Sequence, residues 1–178
     1  PNLPPTRGEY ISPPQWHALF AQGIIISNVS HKRFLEQLPP PAPGQSQVHS
    51  FGSTVQFDLS TDNGAHFSRF SAPANVQARV SSAQDIGGTR YFDTEMLSLS
   101  FSLPGGAMLR ESPSKASLGR TSVRQTTDGR YMVSSFFDIF PELSLNGQDW
   151  MSSESGPAPM AVQPLVPRLN AMPQPGGP

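Results

Sequence analysis

In the stretches 51–59, 76–81 and 97–103 side chains alternate between an apolar and a polar face, and this period of two limits the chain's options more than any other feature. Phe51, Ser53, Val55, Phe57 and Leu59 fall on one side of an extended chain, while Thr54, Gln56 and Asp58 fall on the other. Leu97, Leu99, Phe101 and Leu103 alternate with Ser98, Ser100 and Ser102 in the same way. A helix cannot bury such a pattern, because its face repeats about every 3.6 residues; a half-buried strand can.

The prolines agree. Of twenty, only Pro73, Pro104, Pro113 and Pro141 lie within 49–152. Proline brings no N–H to a sheet ladder, so the run-free middle reads as the sheet-forming part. The expected organisation is an N-terminal arm with a short helix and a strand (1–48), a β core (49–152) and a Pro/Gly-rich C-terminal arm (153–178). Within the first arm, Ser12 as N-cap, Pro13 and Pro14 in the first turn and Gly23 after the last predict a helix, with Trp16, Leu19 and Phe20 on one stripe. The β-branched stretch 24–31 predicts a strand.

In the core, Asp62-Asn63-Gly64, Pro104-Gly105-Gly106 and Asp128-Gly129 supply turn residues between predicted strands at 51–59, 65–71, 76–81, 97–103, 108–111, 121–125 and 131–135. Short antiparallel strands at this spacing predict an all-β fold, an antiparallel β-sandwich of immunoglobulin-like or jelly-roll-like type. Segment 55–67 is echoed at 139–150: acidic-Leu-Ser, a Gly turn, then an aromatic. Duplicated halves and shared hairpin chemistry both account for the echo.

A net charge of −1 with 14% charged residues leaves no basic footprint for nucleic acid and no polybasic strip for anionic lipid. With no cysteine, disulfides and thiolate sites are excluded. The apolar run 23–26 is far too short for a bilayer-spanning helix, so direct membrane insertion is not expected. His17, His31, His49 and His66 show no metal-ligand spacing, and no nucleotide loop or nucleophile elbow occurs. No cofactor or metal is expected. Asp58-Leu59-Ser60-Thr61-Asp62-Asn63-Gly64 places oxygens at alternate positions as calcium loops do, but Arg69 stands where the bidentate Glu belongs, and a hairpin turn accounts for the stretch.

Two sets of side chains carry alternative chemistry. Trp16, Tyr91 and Trp150 offer aromatic faces to sugar rings, the basis of a carbohydrate-binding module. Asp93 and Glu95, two apart on a strand, with Glu111 beyond the next turn, offer the carboxylates a glycoside-active enzyme needs. Packing of the aromatic set and Arg–carboxylate pairing between strands are the simpler accounts of the two.

The stretches 49–53, 91–96, 108–113 (Met-Leu-Arg-Glu-Ser-Pro) and 134–144 (Ser-Ser-Phe-Phe-Asp-Ile-Phe-Pro-Glu-Leu-Ser) resemble a group of uncharacterised exported bacterial β-rich proteins, some of which carry a C-terminal PEP-CTERM surface-sorting signal. The resemblance implies export to the periplasm, cell surface or extracellular space, and implies no activity. The tail here carries no sorting motif. The function expected from the whole is a secreted, non-enzymatic structural or assembly subunit in a fibre, matrix or larger complex, in contact with its own copies or another surface protein. Extended segments would add to a neighbour's sheet edge: Ile24, Ile25, Ile26 and Val29 from the first arm, and Met160, Val162, Leu165, Val166 and Leu169 from the last.

Overall fold

The computed structural model describes residues 2–5 and 7–163. Twelve strands are formed: β1 (Glu9–Ile11), β2 (His17–Phe20), β3 (Ile24–Lys32), β4 (Ser46–Ser60), β5 (Ser68–Ile86), β6 (Thr89–Ser102), β7 (Met108–Glu111), β8 (Ser117–Gln125), β9 (Tyr131–Ile139), β10 (Pro141–Ser144), β11 (Met151–Ser152) and β12 (Ala158–Gln163). All pairings are antiparallel.

The sandwich expectation is corrected here. Neighbours run β3-β4-β5-β6-β8-β9-β12-β1 and β1 returns to β3, so one sheet closes into an eight-stranded barrel. Closure removes the open edges that a sandwich of two sheets would keep. Residues 9–11 and 24–32 from the predicted N-terminal arm, and 158–163 from the C-terminal one, are staves of this barrel. β12 sits between β1 and β9, pairing Tyr10 with Val162 and Phe137 with Met160.

β6 is longer than either partner on its far side. Its first part pairs with β8 and its last part with β7, and β10 continues β9 beyond Phe140. The wall therefore has a second tier, made by β7, β10, β11 and β2. Glu154 N donates to Leu19 O at 2.8 Å and Leu19 N donates to Ser155 Oγ at 3.1 Å, which ties the β11 end to β2.

The predicted helix over 12–23 is absent. Residues 17–20 form β2 and residues 21–23 a single 3₁₀ turn. A helix of this length is marginal without tertiary support, and β2 gains ladder bonds to β3 instead. Ala18 and Phe20 point inward while Leu19 is 40% exposed, so the expected Trp16-Leu19-Phe20 stripe does not exist. Ser12 acts across strands, its Oγ accepting from Val29 N at 3.0 Å.

The alternation of β4 is as expected: Ser53, Val55, Phe57 and Leu59 are buried. The separately predicted strands near 65–71 and 76–81 are one 19-residue strand, β5. Pro73 lies in the part of β5 that pairs only with β4, where a missing N–H costs no second ladder. On β6 the inward parity changes. Phe92, Thr94 and Met96 are buried, then Leu99 and Phe101, because Leu97 is an extra residue opposite the Gln77–Ala78 step of β5.

The two echoing segments are both hairpins with the same cap. Ser60 Oγ accepts from Gly64 N at 2.9 Å, and Ser144 Oγ from Gly147 N at 2.8 Å, the second turn being one residue shorter. Asn63 and Gly64 hold the positive φ values of 59° and 89° that this turn requires.

Candidate functional site

Inward side chains fill most of the barrel in two clusters. The larger centres on Phe57 and Leu143; the smaller comprises Leu3, Val80, Phe92 and Val123 at one end. Between them lies a chamber of about 50 Å³, room for a few water molecules. Its walls come from alternate positions of β1, β3, β4, β5, β6, β8, β9 and β12, with Phe34 entering from the segment after β3 and Leu3 and Pro4 closing the end.

Aromatic rings enclose this chamber. Tyr10 meets Phe34 at 5.9 Å and Phe137 at 5.8 Å, Phe34 meets His31 at 5.1 Å and Phe51 at 5.8 Å, and His49 meets Phe51 at 4.8 Å. These are edge-on or tilted contacts of the kind aromatic quadrupoles favour. No Asp, Glu, Lys or Arg lines the chamber.

Its polar groups divide into satisfied and unsatisfied ones. Tyr10 donates its hydroxyl to Ser135 Oγ at 2.7 Å, and Ser135 shares a 2.8 Å hydrogen bond with Thr121. Burial pushes the Tyr10 phenol up to about 12, partly offset by the Ser135 contact. His31 Nε2 lies 2.6 Å from Ser53 Oγ, which itself donates to Ala74 O. With Ser53 donating to Ala74 O, the matching tautomer has His31 Nε2–H donating to Ser53 Oγ.

Of the three buried side-chain atoms without a partner among the described residues, Trp16 Nε1 lies away from the chamber and two belong to it: His49 Nε2 and Thr94 Oγ1, on residues only 7% and 4% exposed. Glu36 comes within 4.0 Å of the His49 ring but not within hydrogen-bond range. A buried polar atom left unpaired costs free energy, so two of them around one chamber draw their bonds from water or from a ligand held there.

Burial also pushes the His31 imidazole down to about 4. Because the unfolded value lies near 6.5, the unfolded chain binds the extra proton, so this contribution is full above pH ~6.5 and is lost as pH falls towards 4. We expect about 3 kcal/mol less stability from this group at pH 4 than at pH 7. Glu111 acts with the opposite sign. Burial holds its carboxyl up to about 7, against the hydrogen bond from Ser117 and with smaller pushes from Glu95 and Glu142. Its folded value exceeds the unfolded one, so its contribution is present below pH ~4.5 and lost as pH rises through 7. Urea midpoints across pH 4–8 check both: His31→Gln should flatten the acid limb and Glu111→Gln the alkaline limb.

The residues expected to meet a partner are distributed differently. Ile24, Ile26 and Met160 are buried in the barrel's own core, at 8%, 2% and 3% exposure. Val29 and Val162 pack half-buried against it. Ile25 alone faces outward, into a surface groove of about 450 Å³ with Trp16, Leu19 and Phe67. Leu165, Val166 and Leu169 lie outside the described residues. The sugar-stacking set is not assembled: Trp16 lines the groove, Tyr91 is half-buried on the outer wall opposite Ser122, and Trp150 lies under the Arg110 guanidinium at 3.8 Å.

The carboxylates are likewise engaged with cations or hydroxyls. Asp93 pairs with Arg120 at 3.6 Å, Glu95 with Arg79 at 3.0 Å, and Glu111 accepts from Ser117 at 2.9 Å. None of them lines the chamber or the groove. Asp62 is taken up by the hairpin turn and by His66, 2.6 Å away. Among the described residues no three His, Cys, Asp or Glu side chains come together as a metal site would require. His49 and Thr94 were not anticipated. Their signal was parity: His49 shares the inward face of Phe51 to Leu59, and Thr94 sits between the inward Phe92 and Met96.

Comparison of the chain with protein-family models, with curated proteins and with solved structures gives no match in any of the three.

Proposed function

We propose that the chain is a non-enzymatic binding protein that takes a small molecule into its barrel. The observation that carries this reading is the pair of unpartnered polar atoms, His49 Nε2 and Thr94 Oγ1, in an uncharged, aromatic-walled chamber. Eight-stranded barrels are wide enough for one small ligand. The wall supports a water-facing setting: Gln77, Arg79, Asp93 and Arg120 point outward and Val76, Phe92 and Phe137 inward, the reverse of a lipid-facing barrel. The resemblance to exported bacterial proteins supports the periplasm or cell surface as its location.

The test is titration with N-phenyl-1-naphthylamine, an uncharged dye that brightens on leaving water. Saturable one-to-one binding is expected, reduced at least tenfold by Ala78→Phe, which fills the chamber, and several-fold by the near-isosteric Thr94→Val. Equal binding by all three proteins would place the dye elsewhere and count against the reading.

A second reading, an assembly subunit, is favoured by the outer groove, where Leu19 and Phe67 are 40% and 43% exposed beside Ile25 and Trp16. Sedimentation of the full chain against Phe67→Asp decides it. A concentration-dependent oligomer dissolved by the substitution supports assembly through this face, and a monomer in both cases removes it.

A further inference from the structure

Resting on the binding reading, we propose that the ligand is an uncharged, chain-like amphiphile with a hydroxyl or amide head. Its head would meet His49 Nε2 and Thr94 Oγ1, and its hydrocarbon chain would take the space that Leu3 and Pro4 now fill.

The head follows from the lining. With no Lys, Arg, Asp or Glu lining the chamber, a carboxylate, a phosphate or an ammonium would each enter without a counter-charge, which burial penalises heavily. A hydroxyl or amide both donates and accepts, and the two open atoms can use either, since threonine does both and a neutral imidazole nitrogen does one or the other according to tautomer.

The chain follows from the volume and from the way the end is closed. A space of about 50 Å³ accepts a head group but not a hydrocarbon tail. Leu3 and Pro4 belong to no stave. Leu3 reaches the barrel end from outside, is 6% exposed, and completes the apolar cluster of Val80, Phe92 and Val123. Its backbone is held by a single bridge: Leu3 N donates to Leu38 O at 2.7 Å and Leu38 N to Leu3 O at 2.9 Å. A tail lying where Leu3 lies would meet the same apolar floor, and the segment can leave without breaking any pairing of the barrel itself. The N-terminal segment is thus a plug that competes with the ligand.

The experiment titrates N-phenyl-1-naphthylamine into the full chain, a variant lacking residues 1–5, and Leu38→Pro, which removes the N–H that holds Leu3 O, keeps the carbonyl that accepts from Leu3 N, and fixes the local φ. 1-Decanol or decanoate at pH 8 then competes with the dye. Deletion should tighten dye binding at least tenfold and Leu38→Pro several-fold, with 1-decanol displacing the dye and decanoate failing to. If deletion unfolds the chain, Leu38→Pro carries the test alone. Equal affinity in full chain and variants would make the plug purely structural and overturn its competing role. Decanoate competing as well as 1-decanol would overturn the uncharged head. No dye binding by any of the proteins would sink the binding reading itself, a result distinct from both.

Discussion

Gly119→Ala should destabilise the barrel by more than about 3 kcal/mol, lowering Tm by roughly 10 °C or preventing folding. Gly119 sits in β8 between Phe137 on β9 and Thr94 on β6. A Cβ built there would lie 2.0 Å from the Phe136 carbonyl oxygen and 2.8 Å from Thr94 Oγ1. A rotamer change cannot relieve a collision with a backbone oxygen, so β8 and β9 would have to part where the barrel is closing. Ser122→Ala, on the outer face of the same strand, should stay within about 0.5 kcal/mol. Thermal unfolding of the two variants checks this, and an unchanged Tm for Gly119→Ala would contradict so close an approach of the strands.

Phe57→Ala should cost about 3–5 kcal/mol, the combined loss of transfer energy and of packing around the space left behind. Phe57 is fully buried and meets Phe101 at 5.4 Å and Phe70 at 6.1 Å, so it joins β4 to β5 and to the far part of β6. With a slope near 2 kcal/mol/M, the urea midpoint should fall by about 2 M. Phe67→Ala, at a 43%-exposed position beyond the hairpin, should move it far less.

The parts of this fold that were legible in the sequence are those written in local periodicity. The inward face of β4, the Gly turns after Ser60 and Ser144, and the shared face of Asp93 and Glu95 follow from the period of two and from turn chemistry. Closure was not legible. Whether β6 meets β8, and β1 meets β12, depends on pairings between distant segments that alternation does not encode, so a sandwich and a barrel share one pattern. The short β2 was read as a helix because Ser12 and Gly23 fit helix punctuation equally well, while the β3 ladder that decides the matter is a tertiary contact. Proline-rich ends suggested arms, yet Ile24, Ile26 and Met160 had the spacing of inward residues all along, and a closing barrel uses them.

The site was half legible for the same reason. His49 stood at an inward position among apolar residues, which marks a buried polar group. Thr94 did too, but only the β4-β5-β6 pairing brings both to one chamber. Leu3 and Pro4, in a Pro-rich start without periodicity, gave no sign that they would close the barrel end.

The most direct measurement of the central claim is an amide chemical-shift map of the full chain titrated with N-phenyl-1-naphthylamine. Shifts concentrated at Leu3, Tyr10, Phe34, His49, Ala78 and Thr94, with the outer strand face around Arg120 and Ser122 unmoved, are the predicted result. Shifts confined to the groove at Trp16, Leu19 and Phe67, or none at saturating dye, would contradict it.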